Sequence, residues 1–205
     1  MIHDIGVAYQ DVIRQFYEAG CRNLQLDDCT WGAVVGDAAE QRYQSLGIDL
    51  EQVKQSLLDV NNLALEGKPK DMVITSHICR GNYHSTYFTS GPYDSVADYV
   101  FAKENVDALF LEYDDERSGG FAPLAKVSPD KKVVLGLITT KTPELEDKKE
   151  VIERIHEAAK YIPLGRLCLS PQCGFASCEI GNKLTEEQQW AKLKLVKEIA
   201  EEVWG

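Results

Sequence analysis

Short apolar runs rich in β-branched residues alternate along this chain with longer stretches whose apolar residues recur every three or four positions. Ile5, Ala8, Val12, Phe16 and Ala19 lead into Gly20, the pattern of an amphipathic helix closed by a C′ glycine. Residues 23–28 alternate as a short strand whose carboxylates, Asp27 and Asp28, fall at its C-terminal end. Helical stretches over about 38–46 and 50–65 precede a second strand, 72–78, that runs through His77 to Cys79. The spacing then predicts a helix over 94–104, a nearly uniformly apolar strand at 108–111 ending in Glu112, and a fourth strand at 132–138. A helix over 144–161 entered at Pro143 and a fifth strand at 166–170, followed by Pro171, Gln172, Cys173 and Gly174, complete the alternation. The last helix, about 185–203, has Thr185 as N-cap, with Glu187 and Gln188 placed to complete a capping box. Trp190, Leu193, Val196, Ile199 and Val203 mark the face expected to pack on the core, and Trp204 follows them.

Alternating strands and helices with short apolar strands predict an α/β fold with a parallel sheet, and polar strand ends place the site at the strands' C-termini. Five strand-helix units are fewer than the eight of a closed barrel, which takes about 250 residues, and a leading helix has no strand before it to pack on. Two architectures fit: an open five-stranded sheet, or the C-terminal part of a larger barrel. With no repeat, low-complexity tract or linker, residues 1–205 read as one domain.

Charge narrows the partners. The 33 acidic against 22 basic residues leave a net charge of −11, so the phosphate neutralisation that drives nucleic-acid binding is not available, and an anionic membrane surface is equally unsuited. The start lacks the basic-then-apolar pattern of a signal peptide and no stretch has the length of a membrane span, so a cytoplasmic protein is expected. Its six cysteines, at 21, 29, 79, 168, 173 and 178, are too few and too uneven for a disulfide scaffold. In a reducing compartment they are core filler, metal ligands or nucleophiles.

Strand ends supply His77 with Cys79, Glu112 and Cys173, which such a fold brings to one pocket. A His-x-Cys pair at a strand end puts two side chains on one face, and nitrogen, sulfur and carboxylate donors are those of a zinc site. Two thiolates and a carboxylate around Zn²⁺ leave a net charge of −1, which suits carrying a nucleophilic thiolate better than activating water. The same cysteines would also serve as buried small hydrophobes, with His77 a hydrogen-bonded strand-end histidine. His84 is a competing ligand or part of a covering loop. Cys168, inside an apolar strand, reads as core; Cys178 stays open. Arg117, in the acidic run 111–120 with Gly119 and Gly120 as hinge, reads either as a cation for an anionic substrate or as part of a solvated turn.

The segments Leu24-Gln25-Leu26-Asp27-Asp28, His77-Ile78-Cys79, Leu111-Glu112 and Ser170-Pro171-Gln172-Cys173-Gly174 resemble the C-terminal catalytic barrel of cobalamin-independent methionine synthase, over nearly the whole chain and most closely its short bacterial relatives without the N-terminal domain. The resemblance implies a TIM-type (β/α) barrel of which strands 4 to 8 are present, with Zn²⁺ on His77, Cys79, Glu112 and Cys173. It implies that Asp27 holds the amino group of homocysteine and that a methyl group passes to the thiol, forming methionine, with Glu112 loosening as the thiol arrives. Two departures bear on the methyl donor: the resemblance puts Ile138 where the folate-using enzymes carry a proton-donating histidine, and Ala33 where they carry a folate-contacting glutamate. Methyltetrahydrofolate is therefore a poor donor here by expectation, with methylcobalamin on a partner protein, a sulfonium or an S-methyl compound as replacements. A barrel without three strands leaves open edges, so self-association or pairing with an N-terminal barrel piece is expected. The alternative is a catalytically silent zinc-binding fragment or assembly module; a metal-free decarboxylase-type barrel is a third reading.

Overall fold

All five apolar runs form strands, and what decides the architecture is how they pair. The computed structural model describes residues 1–205. Helix α1 (Ile2–Glu18) is followed by β1 (Asn23–Asp27), the one-turn helix α2 (Cys29–Gly32), α3 (Gly36–Ser45) and α4 (Leu50–Leu65). Then come β2 (Val73–Ile78), the one-turn helices α5 (Asp94–Ala97) and α6 (Val100–Lys103), β3 (Ala108–Glu112), β4 (Lys132–Ile138), α7 (Lys148–Ala158), β5 (Leu167–Pro171) and α8 (Glu186–Trp204). The strands lie in the order β1-β2-β3-β4-β5, every neighbouring pair parallel. An open doubly wound sheet reverses its strand order at a switch point; a sheet that only advances curls toward closure. The chain is an arc of a (β/α) barrel.

The pairing sets the two faces. Asp27 lies beside His77, His77 beside Phe110, Phe110 beside Val134 and Val134 beside Cys168, so these residues share the concave face. The convex face carries Ile74, Ile78, Leu109, Leu111, Val133, Leu135 and Leu137, all buried under the helices. At Gly136 the register between β4 and β5 shifts, and a Cβ there would stand 2.7 Å from the Gln172 Cα and 2.9 Å from the Leu111 carbonyl oxygen, so only glycine allows the approach. That bulge turns the segment after β5 across the end of the sheet.

Three elements depart from the periodicity, each because of a long-range contact. Helix α1 forms, with Gly20 at φ +99° beyond its end, but Ile5, Val12 and Phe16 are 44%, 40% and 48% exposed. It packs through Gly6, set against Leu63, and Gln10, whose Nε2 donates to the Leu63 carbonyl at 2.6 Å, leaving its apolar stripe outward. The helix expected over 144–161 begins only at Lys148, capped by Asp147, because Glu146 is engaged by Lys192 Nζ at 3.0 Å and by the Thr139 amide at 2.8 Å. The helix expected over 94–104 breaks into α5 and α6 at Tyr99, which turns out to donate to Glu51 on α4 at 2.7 Å. Helix α8 has the capping box of Thr185 and Gln188, but its core face is Lys192, Leu195 and Ile199; Trp190 is exposed, while Trp204 packs, donating to the Leu164 carbonyl at 3.1 Å.

Glu104, just after α6, is fully buried and accepts from Asn61 Nδ2 at 3.2 Å; the same nitrogen donates to Asp28 at 2.6 Å. Burial first, then the charge of Asp28, pushes its carboxyl up to about 8, with Lys131 acting weakly against them. A raised carboxyl means the folded state keeps its proton longer, so this stabilisation is complete below the ordinary value of 4.5 and is lost as pH rises through about 8. Glu104→Gln is expected to be more stable than the parent at pH 9 by about 5 kcal/mol and equal at pH 4, measured by urea unfolding. Equal midpoints at both pH values would refute it.

Candidate metal and thiol site

The concave face ends in polar residues because β2 and β3 carry His77, Cys79 and Glu112 at their C-terminal ends with the parity that points inward. The segment after β5 brings the fourth group. The Gln172 amide donates to the Ile138 carbonyl at 2.8 Å, and its Oε1 accepts from Thr140 Oγ1 at 2.6 Å and the Thr140 amide at 3.2 Å. With Gln172 pinned on the β4 side, Cys173 is delivered inward. One ligand atom each from His77, Cys79, Glu112 and Cys173 lies within 4.8 Å of every other. His77 and Cys173 border an open cavity of about 340 Å³ that Gln25, Asp27, Phe110 and Gln172 also line.

Each group is oriented from behind. Glu112 has its backbone clamped by the buried Tyr93 hydroxyl, which accepts from the Glu112 amide at 3.1 Å and donates to its carbonyl at 3.3 Å. Glu112 Oε1 accepts from the Arg80 amide at 2.9 Å, and Oε2 accepts from Arg117 Nη2 at 2.8 Å. The Gly81 amide donates to Cys79 Sγ at 3.4 Å. His77 Nε2 is buried, 3.5 Å from Glu112 Oε1, and makes no hydrogen bond.

The charges follow from these contacts. The neighbouring Cys173 thiol, with His77 and the Gly81 amide, draws Cys79 well below the ordinary thiol range against the cost of burial, while the proximity of Cys79 and burial push Cys173 up. Burial opposes a charged His77, yet the negative Cys79 and Glu112 beside it raise it to about 9. Glu112 is also penalised by burial, but His77, the Arg80 amide and Arg117 hold it below its ordinary value. Borderline-soft nitrogen and sulfur donors with a carboxylate, an inward nitrogen without a partner and a thiolate kept ionised are what a four-coordinate divalent ion requires.

Asp27 stands at the rim, exposed, on the same face as His77; its carboxylate, Cys29 Sγ and Cys79 Sγ form a second set of atoms within 4.8 Å of one another. Partial burial and the negative charge of Cys79 raise Asp27. Asp28 instead N-caps α2. Arg117 does not reach toward a substrate: its side chain is nearly buried, bonded to Glu112, Asp115 and, at 2.7 Å, Asp114. His84 stands outside the cluster, at φ +45°, with Nδ1 3.1 Å from the Gly181 carbonyl. Ile138 is fully buried in the core.

Three features escaped the sequence reading. Cys29 follows Asp27 by two residues, as Cys79 follows His77, and this shared parity is a legible signal that both cysteines point inward. Tyr93 sits in a stretch without periodicity and carries no such signal. Nor does Lys141, whose buried Nζ donates to the Gly81 carbonyl and Asn82 Oδ1, both at 3.1 Å, with its ammonium drawn below the ordinary range by burial.

Residues 1–202 match the family profile described as "Cobalamin-independent synthase, Catalytic domain". The chain is 52% identical over 203 residues to the uncharacterized protein YxjH of Bacillus subtilis (strain 168), covering 98% of this chain and 54% of that protein. It is similar to the structure of a Listeria monocytogenes protein assigned as a vitamin-B12-independent methionine synthase, with a TM-score of 0.79 and 41% identity, covering 100% of this chain and 55% of that one. The B12-independent methionine synthase of Shewanella sp. W3-18-1, solved with selenomethionine, shares the fold at TM-score 0.68 and 20% identity, covering 95% and 52%. The chain thus spans about half the length of these relatives. No helix is long and apolar enough to cross a membrane.

Proposed function

The chain belongs to the cobalamin-independent synthase catalytic-domain family, and from that premise we propose that it carries the zinc and thiol site of an S-methyltransferase that makes methionine from homocysteine. The observation that carries the reading is the convergence of His77, Cys79, Glu112 and Cys173 within 4.8 Å at the strand ends. These four residues would hold Zn²⁺, which when bound lets a thiol lose its proton at neutral pH while the sulfur stays nucleophilic. Asp27, exposed at the rim and beside the ligand Cys79, takes the substrate ammonium and so points the thiol inward. Arg117 holds Glu112 by its far oxygen and draws it aside as the thiol enters. The proton leaves to solvent, and the remaining task of the site is to align the sulfur with the methyl carbon.

The test is zinc content per chain by elemental analysis on protein purified without chelators, beside Cys173→Ala, followed by titration with homocysteine while proton release is recorded. About one zinc per chain, lost in the variant, with about one proton released on thiol addition, is expected. An absence of zinc from the parent protein would sink the reading.

The open concave face favours a second reading. Asn23, Gln25 and Asp27 are exposed along β1, as is the α1 stripe, so the zinc site would be silent until another chain, a copy of this one or an N-terminal barrel piece, closes the barrel. Under that reading the protein sediments above its 22.9 kDa monomer mass or binds an apolar-surface dye strongly. A monodisperse monomer without dye binding would exclude it.

A further inference from the structure

Cys79 belongs to two sets of donor atoms, and the second, with Asp27 and Cys29, has no place in the methyl-transfer scheme for Cys29. The two cysteines differ in setting: Cys79 is buried and Cys29 is exposed at the start of α2. The Sγ of Cys29 has only a 4.0 Å contact to Asp27 Oδ1. An independent packing feature holds the two segments together. A Cβ on Gly32, three residues after Cys29, would stand 2.3 Å from the Cys79 carbonyl oxygen, so the α2 backbone is pressed against that of Cys79. Cys173, the other neighbour of Cys79, follows Gln172, which three hydrogen bonds pin to β4 and the loop after it, whereas Cys29 sits in a single turn at the open edge of the sheet.

We propose that Cys29 and Cys79 form a redox pair in which Cys29 is the resolving thiol. The Cys79 thiolate attacks the terminal oxygen of a hydroperoxide: an S–O bond forms, the O–O bond breaks, and the peroxide is reduced to an alcohol, or to water from hydrogen peroxide, as the sulfur is oxidised to a sulfenic acid. Cys29 sulfur then attacks Cys79 sulfur, the S–S bond forms, the S–O bond breaks, and hydroxide leaves with the Cys29 proton as water. The disulfide takes one of the four ligands from the site; this consequence rests on the zinc reading above, whereas the pairing itself does not. Cys29 would then make oxidation reversible by thiols, where an unpaired Cys79 would pass on to sulfinic acid.

The experiment is titration of the purified full chain with hydrogen peroxide, followed by non-reducing peptide mapping, intact mass and zinc release to a chromogenic chelator. The expected result is a Cys29–Cys79 link, a mass loss of about 2 Da and release of the bound zinc, all reversed by a thiol reductant. In Cys29→Ser the link is lost, Cys79 is trapped by a sulfenic-acid reagent, and zinc release is no longer reversible. A link joining Cys79 to Cys173, or a Cys29→Ser variant that recovers like the parent, would overturn the pair. Formation of the Cys29–Cys79 link in protein that held no zinc would uphold the pair and remove the metal reading.

Discussion

Arg117→Met is expected to unfold at markedly lower urea than the parent, losing about 3–5 kcal/mol, because it strips the one guanidinium from two buried carboxylates. The side chains of Glu112 and Asp114 are 0% and 1% exposed, and Arg117 Nη2 bridges them at 2.8 and 2.7 Å. The attraction of the pair only offsets what the charges lost on leaving water, but removing one partner leaves that loss uncompensated. Screening does not reach such a site, so added salt should not rescue the variant. Glu112 also loses the bond that orients its far oxygen, and zinc affinity should fall about 10–100-fold in a chelator competition. Arg117→Lys keeps the charge but not the second nitrogen that bonds Asp115 and fixes the group between the two carboxylates, and should recover only part of each loss. An Arg117→Met protein with parental stability and parental zinc affinity would show the bridge to be incidental.

Methyl transfer from methyltetrahydrofolate should run on the order of 10²–10⁴-fold slower than from a donor whose leaving group needs no proton, such as methylcobalamin or a sulfonium. A tertiary amine departs poorly unless protonated, and Ile138, at the position where the sequence resemblance expects an acid, is fully buried in the core and offers none. The first ionisable residue beyond β4 is Lys141, whose Nζ is bound to the Gly81 carbonyl and Asn82 Oδ1. There it ties the loop after Cys79 to the end of β4. Single-turnover transfer to homocysteine with each donor, at saturating thiol, is the deciding measurement. Equal rates would refute the prediction and hand the proton to Lys141, in which case Lys141→Met would abolish transfer from the folate alone.

The strands and the inward side chains at the ends of β2 and β3 were legible in the sequence. A strand's side chains alternate with period two, and parallel strands joined by helices end on the same side, so His77, Cys79 and Glu112 share one face at one end of the sheet, whereas Cys173 is turned inward by the bulge at Gly136 and the contacts of Gln172. Helix caps were legible for the same local reason: Thr185 and Gln188 satisfy amides within their own first turn. Helix length was not, where a distant group intervened, as Lys192 does at Glu146.

Pattern and composition along the chain thus settled the strands, the inward parity of His77, Cys79 and Glu112 and the chemistry they suit, because each depends on neighbours a few residues away. The folded molecule alone decided that the sheet advances without reversal, that the α1 stripe faces outward, that Arg117 serves Glu112 rather than a ligand, and that Cys29 meets Cys79. Those outcomes depend on strand order and on contacts between segments tens of residues apart, where the free energy of packing and of satisfying buried polar groups overrides local preference.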